Sequence, residues 1–125
     1  MFGPPTPILR SFDERKTKAF YVDFLGFEIL FEHRFEPDMP LYMGLIKDQC
    51  HLHLSEHFGD AAPGARLRIQ VDDVKAYAQS LRDKGYENAR PGEPELMDWG
   101  SWEITVHDPS SNRLTFFTPD THGQA

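Results

Sequence analysis

Residues 65–71 (ARLRIQV) alternate strictly, with Leu67, Ile69 and Val71 on one side and Arg66, Arg68 and Gln70 on the other. Successive side chains of a strand point to opposite faces, so this stretch predicts a strand with one apolar and one polar face. Thr17, Phe20, Tyr21 and Phe24 recur instead at the helical i, i+3, i+4, i+7 spacing and make one apolar stripe. Asp13 stands before that stripe and can cap a helix, because its carboxylate can accept a hydrogen bond from a free N–H of the first turn. Gly26 stands after it and ends it, since glycine enters the left-handed conformation at little cost. Val74, Tyr77, Ala78 and Leu81 repeat the helical spacing between Asp72/Asp73 and Gly85. The other apolar runs read as strands: PILRSF (7–12), FEILFEHRF (27–35), LYMGLIKD (41–48), CHLHLSEH (50–57), SWEITVH (101–107) and RLTFFTP (113–119). The link between 41–48 and 50–57 is too short for a crossover, so that pair is antiparallel. Segment 86–100 is irregular and rich in Pro and Gly, and the polar tail from Asp120 is expected to fray.

The order is strand, helix, three strands, then the same again, with the first long strand of the second half poorly formed. Asp13…Gly26-Phe27 in the first half corresponds to Asp72…Gly85-Tyr86 in the second at the same spacing. The helix interiors do not match, so the repeat is one of architecture. These patterns predict an α+β fold in a single domain over residues 1–125. Its two βαβββ modules, about 7–57 and about 65–119, form a curved mixed sheet with a central cleft and the helices outside.

The chain has 125 residues, 39% of them hydrophobic, enough for one domain with a buried core. Its 10 Phe, 4 Tyr and 2 Trp are generous for that length, and ligand or interface surfaces are one use for the excess. The net charge of −7 argues against a nucleic-acid partner, which calls for a basic footprint, and favours cationic small molecules or simple solubility. A single cysteine, Cys50, excludes an intrachain disulfide and fits a reducing cytoplasm. No apolar run is long enough to span a membrane.

CHLHLSEH concentrates three of the six histidines beside Cys50 and Glu56. Strand parity sends His51, His53, Ser55 and His57 to one face and Cys50, Leu52, Leu54 and Glu56 to the other. His51 and His53 could chelate an ion as a pair, but zinc needs three or four ligands, and His57 lies too far along a straight strand to join them. Three readings stay open: a wall of a ligand pocket, hydrogen-bonded polar residues beside a sheet, or a metal site. Cys50 points away from its histidine neighbours, so a Cys–His nucleophile has no support. Trp99, after an irregular segment and before a glycine, is either a stacking surface for a planar ligand or an anchor for its loop. Phe35, Tyr42, Phe58 and Phe117 can add to an aromatic surface. Arg66 and Arg68 face the cleft, either paired with Glu56 or Glu103 or facing an anionic group.

Three segments carry a resemblance to a known family: AFYVDFLGF (19–27), VDDV (71–74) and DWGSWEITVHDPSSNRLTFF (98–117). Together with HLSEHFGD, they make the chain resemble the vicinal oxygen chelate superfamily of glyoxalases, extradiol dioxygenases and bleomycin-resistance proteins, and the last branch in particular. Two positions depart from that branch: Ser111 stands where its turn usually has glycine, and Trp102 where arginine is frequent.

Metal-dependent members of the family hold their ion with one His or Glu from each of four strands. Alignment on the shared motifs implies Thr6, His53, Arg66 and Thr115 as the corresponding positions. Only His53 is a competent ligand; an arginine adds a fixed positive charge, and threonine offers none. The resemblance therefore implies a protein without cofactor or catalytic residues, which sequesters a bleomycin-type drug in a cytoplasmic homodimer whose two chains complete the cleft. His53, His51, Trp99, Trp102, Phe35, Tyr42, Phe58, Arg68 and Phe117 are the expected ligand-binding residues. The alternatives are a metal-dependent glyoxalase- or dioxygenase-like enzyme, and a binder of another metabolite.

Overall fold

Asp13 caps the first helix as its position predicts. Its carboxylate accepts the Lys16 N–H at 2.9 Å, and α1 (Glu14–Lys18) begins at the next residue. The structure, a computed structural model, describes residues 1–120; the tail expectation beyond Asp120 lies outside the described residues. α1 does not stay α-helical to Gly26. It widens into a π-helix over Ala19–Phe24, where the Leu25 N–H reaches the Phe20 carbonyl, five residues back. Thr17, Phe20, Tyr21 and Phe24 are all buried, as the stripe requires. Phe20 meets Tyr21 edge-on with ring centroids 4.9 Å apart, and Tyr21 meets Phe27 at 6.3 Å. Gly26 ends the element at φ +93°, in the left-handed region.

The described residues divide into two compact units, one of residues 1–65 with 109–112, the other of 66–108 with 113–120. In the first, β1 (Ile8–Arg10), β4 (Cys50–Ser55), β3 (Tyr42–Lys47) and β2 (Glu28–His33) lie side by side in that order. β1 runs parallel to β4, and the other pairs are antiparallel. Leu9, Met43, Leu45, Leu52 and Leu54 are buried on one face of this sheet. Residues 109–112 belong here through side chains: Asn112 Nδ2 donates to the Arg10 carbonyl, and Ser110 Oγ accepts the Phe12 N–H. Ser111 takes a left-handed φ of +71° in this turn, a conformation glycine adopts with less strain.

The second unit repeats the order with β5 (Arg66–Gln70), β8 (Arg113–Pro119), β7 (Ser101–His107) and β6 (Glu95–Leu96). Again the first strand is parallel to the last and the remaining pairs are antiparallel. β6 has two residues, in keeping with the Pro/Gly-rich sequence around it. α2 (Val74–Asp83) buries Val74, Ala78 and Leu81. The α+β class and the two βαβββ modules therefore hold, each built as a four-stranded mixed sheet. No helix among the described residues is long and apolar enough to cross a membrane.

Asp73, not Asp72, is the cap of α2; it accepts the Ala76 N–H at 3.1 Å. Asp73→Ala is expected to lower stability by about 1 kcal/mol and Asp72→Ala by a few tenths. Urea denaturation of the two variants checks this, and equal losses would contradict the cap assignment.

Candidate functional site

Cross-strand register gathers an aromatic cluster on the face of the first sheet opposite its buried leucines. Gly44 pairs with Phe31 on one side and His53 on the other, and Tyr42 pairs with His33 and Ser55. Directly paired residues share a face, so Phe31, Tyr42 and His53 project together. Gly44 makes room for the ring of Phe31: a Cβ there would come within 2.2 Å of it. Phe31 lies nearly parallel to Tyr42 (12°, centroids 6.2 Å apart) and edge-on to His53 at 5.3 Å. The Tyr42 hydroxyl and His53 Nδ1 share a hydrogen bond of 2.7 Å. Burial, with the nearby Asp60 carboxylate, raises the Tyr42 phenol above its usual range, so the hydroxyl stays protonated at neutral pH.

A second group extends the first. Phe35 is exposed and meets His33 edge-on at 4.8 Å and His57 at 6.0 Å. His57 does not continue β4, as strand parity predicted. The strand ends at Ser55, whose hydroxyl accepts the His57 N–H and donates to Asp60, turning the chain away. His51 is exposed, paired across the ladder with Ile46, and Phe58 stands out from its loop. Cys50 is half-buried, and burial pushes its thiol up, away from a reactive thiolate.

The open face of the second sheet is built around Glu103. Arg68 grips both carboxylate oxygens, at 3.0 and 2.8 Å, and its guanidinium lies 4.5 Å from the Phe117 ring centroid. Trp99 Nε1 donates to Glu103 Oε2 at 2.7 Å, and the Ser101 hydroxyl donates to the same oxygen. The Arg68 hydrogen bonds, followed by those of Ser101 and Trp99, hold the Glu103 carboxyl down at about 2 against the opposing effect of burial. The indole of Trp99 stays 68% exposed, so the network fixes its orientation without covering its face.

Arg68, Trp99 and Phe117 thus come together, whereas Trp102 does not join them. It has the parity of Ile104 and Val106, pairs with Thr118, and carries the Lys75 ammonium of α2 at 3.9 Å over its ring. Trp102 therefore packs on the helix side of the sheet. The sequence offers Glu103 only as one of two partners for an arginine, and its role as the shared acceptor of three side chains depends on cross-strand register.

The positions that the resemblance assigns to metal ligands do not fit an ion. Thr6 is an exposed neutral hydroxyl, Arg66 an exposed cation, and Thr115 shares its hydroxyl with Thr105 at 2.8 Å. His53 is the one imidazole, and its Nδ1 is engaged by Tyr42. Among the described residues, no three His, Cys, Asp or Glu side chains are grouped to hold a metal ion.

A family model described as "Glyoxalase superfamily protein" matches residues 1–123. Among solved structures, the bleomycin resistance determinant encoded on transposon Tn5 is similar at 26% identity, covering 94% of this chain and 98% of its own, with a TM-score of 0.74. A bleomycin-binding protein complexed with bleomycin is 24% identical, with 95% and 100% covered and a TM-score of 0.72. A glyoxylase/bleomycin resistance protein/dioxygenase domain from Frankia sp. EAN1pec is 15% identical, with 95% and 98% covered and a TM-score of 0.75. The last two likenesses are of fold alone. No curated protein sequence matches the chain.

Proposed function

This chain belongs to the glyoxalase superfamily, and from that premise we propose that it is a drug-binding protein of the bleomycin-resistance type. It sequesters a large, partly planar, cationic drug in the cytoplasm without making or breaking a bond. The observation that carries this reading is the open face of the first sheet. Phe31, Tyr42 and His53 offer stacking surface there, and His53 is tied to a phenol instead of to further metal ligands. Trp99 and the Arg68–Phe117 stack are a second platform of the same kind. The net charge of −7 attracts a cationic drug. The donor set at the family's metal positions speaks against the enzyme reading.

The drug site is completed by a second copy of the chain. β2 is an edge strand with Ile29, Leu30 and Phe31 at 40, 54 and 41% exposure, and Met1 and Phe2 are exposed as well. Exposed apolar surface of this kind on a sheet edge favours association.

Calorimetric titration with bleomycin tests the ligand, and sedimentation tests the dimer. Binding at micromolar concentration is expected, with about one drug per chain and at least tenfold weaker affinity in His53→Ala, a change of about 1.4 kcal/mol. No heat of binding at that concentration overturns the drug assignment. A monomer at the concentration of the titration overturns the shared site.

A further inference from the structure

Between the end of β1 and the loop that follows β4 runs a groove of about 350 Å³ that none of the roles above uses. Phe12, Phe58, Ala61, Ala62 and Pro63 line it, and among the described residues Arg10 is the only charged one in its lining. Phe12 and Phe58 are 57% and 92% exposed, which leaves two aromatic surfaces without a covering partner among the described residues. The Arg10 guanidinium lies 4.9 Å from the Phe12 ring centroid. Its Nη1 is closed off from water and has no hydrogen-bond partner among the described residues, nor is there a carboxylate within ion-pair distance. Glu56, which lines a neighbouring groove with Arg10, accepts the Leu41 N–H, and Asp60, in the loop after β4, accepts the Ser55 hydroxyl.

The closed-off Nη1 is out of an incoming group's reach, but the other guanidinium nitrogens are neither closed off nor hydrogen-bonded among the described residues, so an arriving acceptor meets an unpaired cation there. Arginine presents parallel N–H groups that match a carboxylate in two-pronged fashion. The aromatic walls favour a flat ring over an alkyl chain, because ring faces and edges attract one another beyond simple burial. The backbone that carries Arg10 and Phe12 is already held. Asn112 bonds the Arg10 carbonyl, Ser110 bonds the Phe12 N–H, and Ser11 shares a 2.8 Å hydrogen bond with Thr17.

We propose that this groove is a binding site for a small aromatic carboxylate, with the carboxylate on Arg10 and the ring between Phe12 and Phe58. The site is separate from the aromatic faces assigned to the drug and takes a ligand of opposite charge. Either assignment can fail without the other.

The test is calorimetric titration of the full chain with 2-naphthoate and with its neutral isostere 2-naphthamide. Naphthoate is expected to bind at least tenfold more tightly than the amide. Arg10→Gln is expected to abolish that difference, and Phe58→Ala, at an exposed position where folding is not at risk, to weaken both probes severalfold. Arg10→Gln should leave the bleomycin titration unchanged. Equal affinity for the two probes, unaltered affinity in Phe58→Ala, or no binding of naphthoate at millimolar concentration overturns the proposal. So does sedimentation in which Phe58→Ala dissociates a dimer while naphthoate leaves the wild type unaffected, since a second copy would then fill the groove.

Discussion

Glu103→Gln is expected to destabilise the protein by roughly 2 kcal/mol at neutral pH and to flatten the acid side of its stability curve. The carboxyl is 5% exposed and held at about 2 instead of its ordinary 4.5 by Arg68, Ser101 and Trp99. A depression of that size corresponds to at most about 3–4 kcal/mol of preference for the folded state. Arg68 is half-exposed and screened by water, which lowers the figure. A group whose folded value lies below its unfolded one stabilises the fold above the unfolded value. That stabilisation is complete above about pH 5 and is lost as the pH falls toward 2. Glutamine keeps the shape but loses the charge, so the gap between wild type and variant, read by urea denaturation, should be wide at pH 7 and narrow at pH 3. A gap independent of pH would mean that packing at Glu103, and not its charge, holds this face together. Trp99 supplies a separate readout, because loss of the anionic acceptor frees its indole and alters its fluorescence.

Local rules made much of the fold legible in the chain. Asp13 and Gly26 bracket the first helix, Asp73 and Gly85 the second, and ARLRIQV alternates as a strand with one wet face, because each of these features depends on residues a few positions apart. The π-helical widening at Ala19–Phe24, whose rings Phe20, Tyr21 and Phe24 are buried, has no such local mark. The end of β4 at Ser55 depends on a hydrogen bond to Asp60, across a turn. Trp102 shares the parity of Ile104 and Val106, and that parity sets its direction against the place among ligand-binding residues that the resemblance implies. Trp99 precedes the strand and turns to Glu103, while Trp102 lies within it and faces α2. The cluster of Phe31, Tyr42 and His53 was half legible: Tyr42 and His53 were candidates, but Phe31 was not. Its place beside them depends on a register shift in β2 between Ile29 and Phe31, which sequence periodicity does not encode.

Gly44 provides the sharpest test of that cluster, because the expected effect changes sign with its neighbour. In a strand interior glycine is the costly choice, and alanine at an unstrained position is normally neutral or stabilising by up to about 1 kcal/mol. Gly44 has no positive φ, so its backbone accepts a Cβ. Yet that Cβ would meet the Phe31 ring at 2.2 Å, closer than any real contact. Phe31 is 41% exposed and has room to swing outward, so the chain gives way by losing the ring from the cluster instead of by breaking the sheet. Gly44→Ala is therefore expected to destabilise the protein by about 1–2 kcal/mol, within the range of overpacking substitutions, and to weaken bleomycin binding at least tenfold. In a Phe31→Ala background the obstruction is gone, and the same substitution should be neutral or stabilising. A double-mutant cycle by urea denaturation reads this as a coupling of about 2 kcal/mol between positions 31 and 44. If Gly44→Ala costs the same in both backgrounds, Phe31 does not lie over Gly44, and the stacked face proposed to receive the drug loses its central ring.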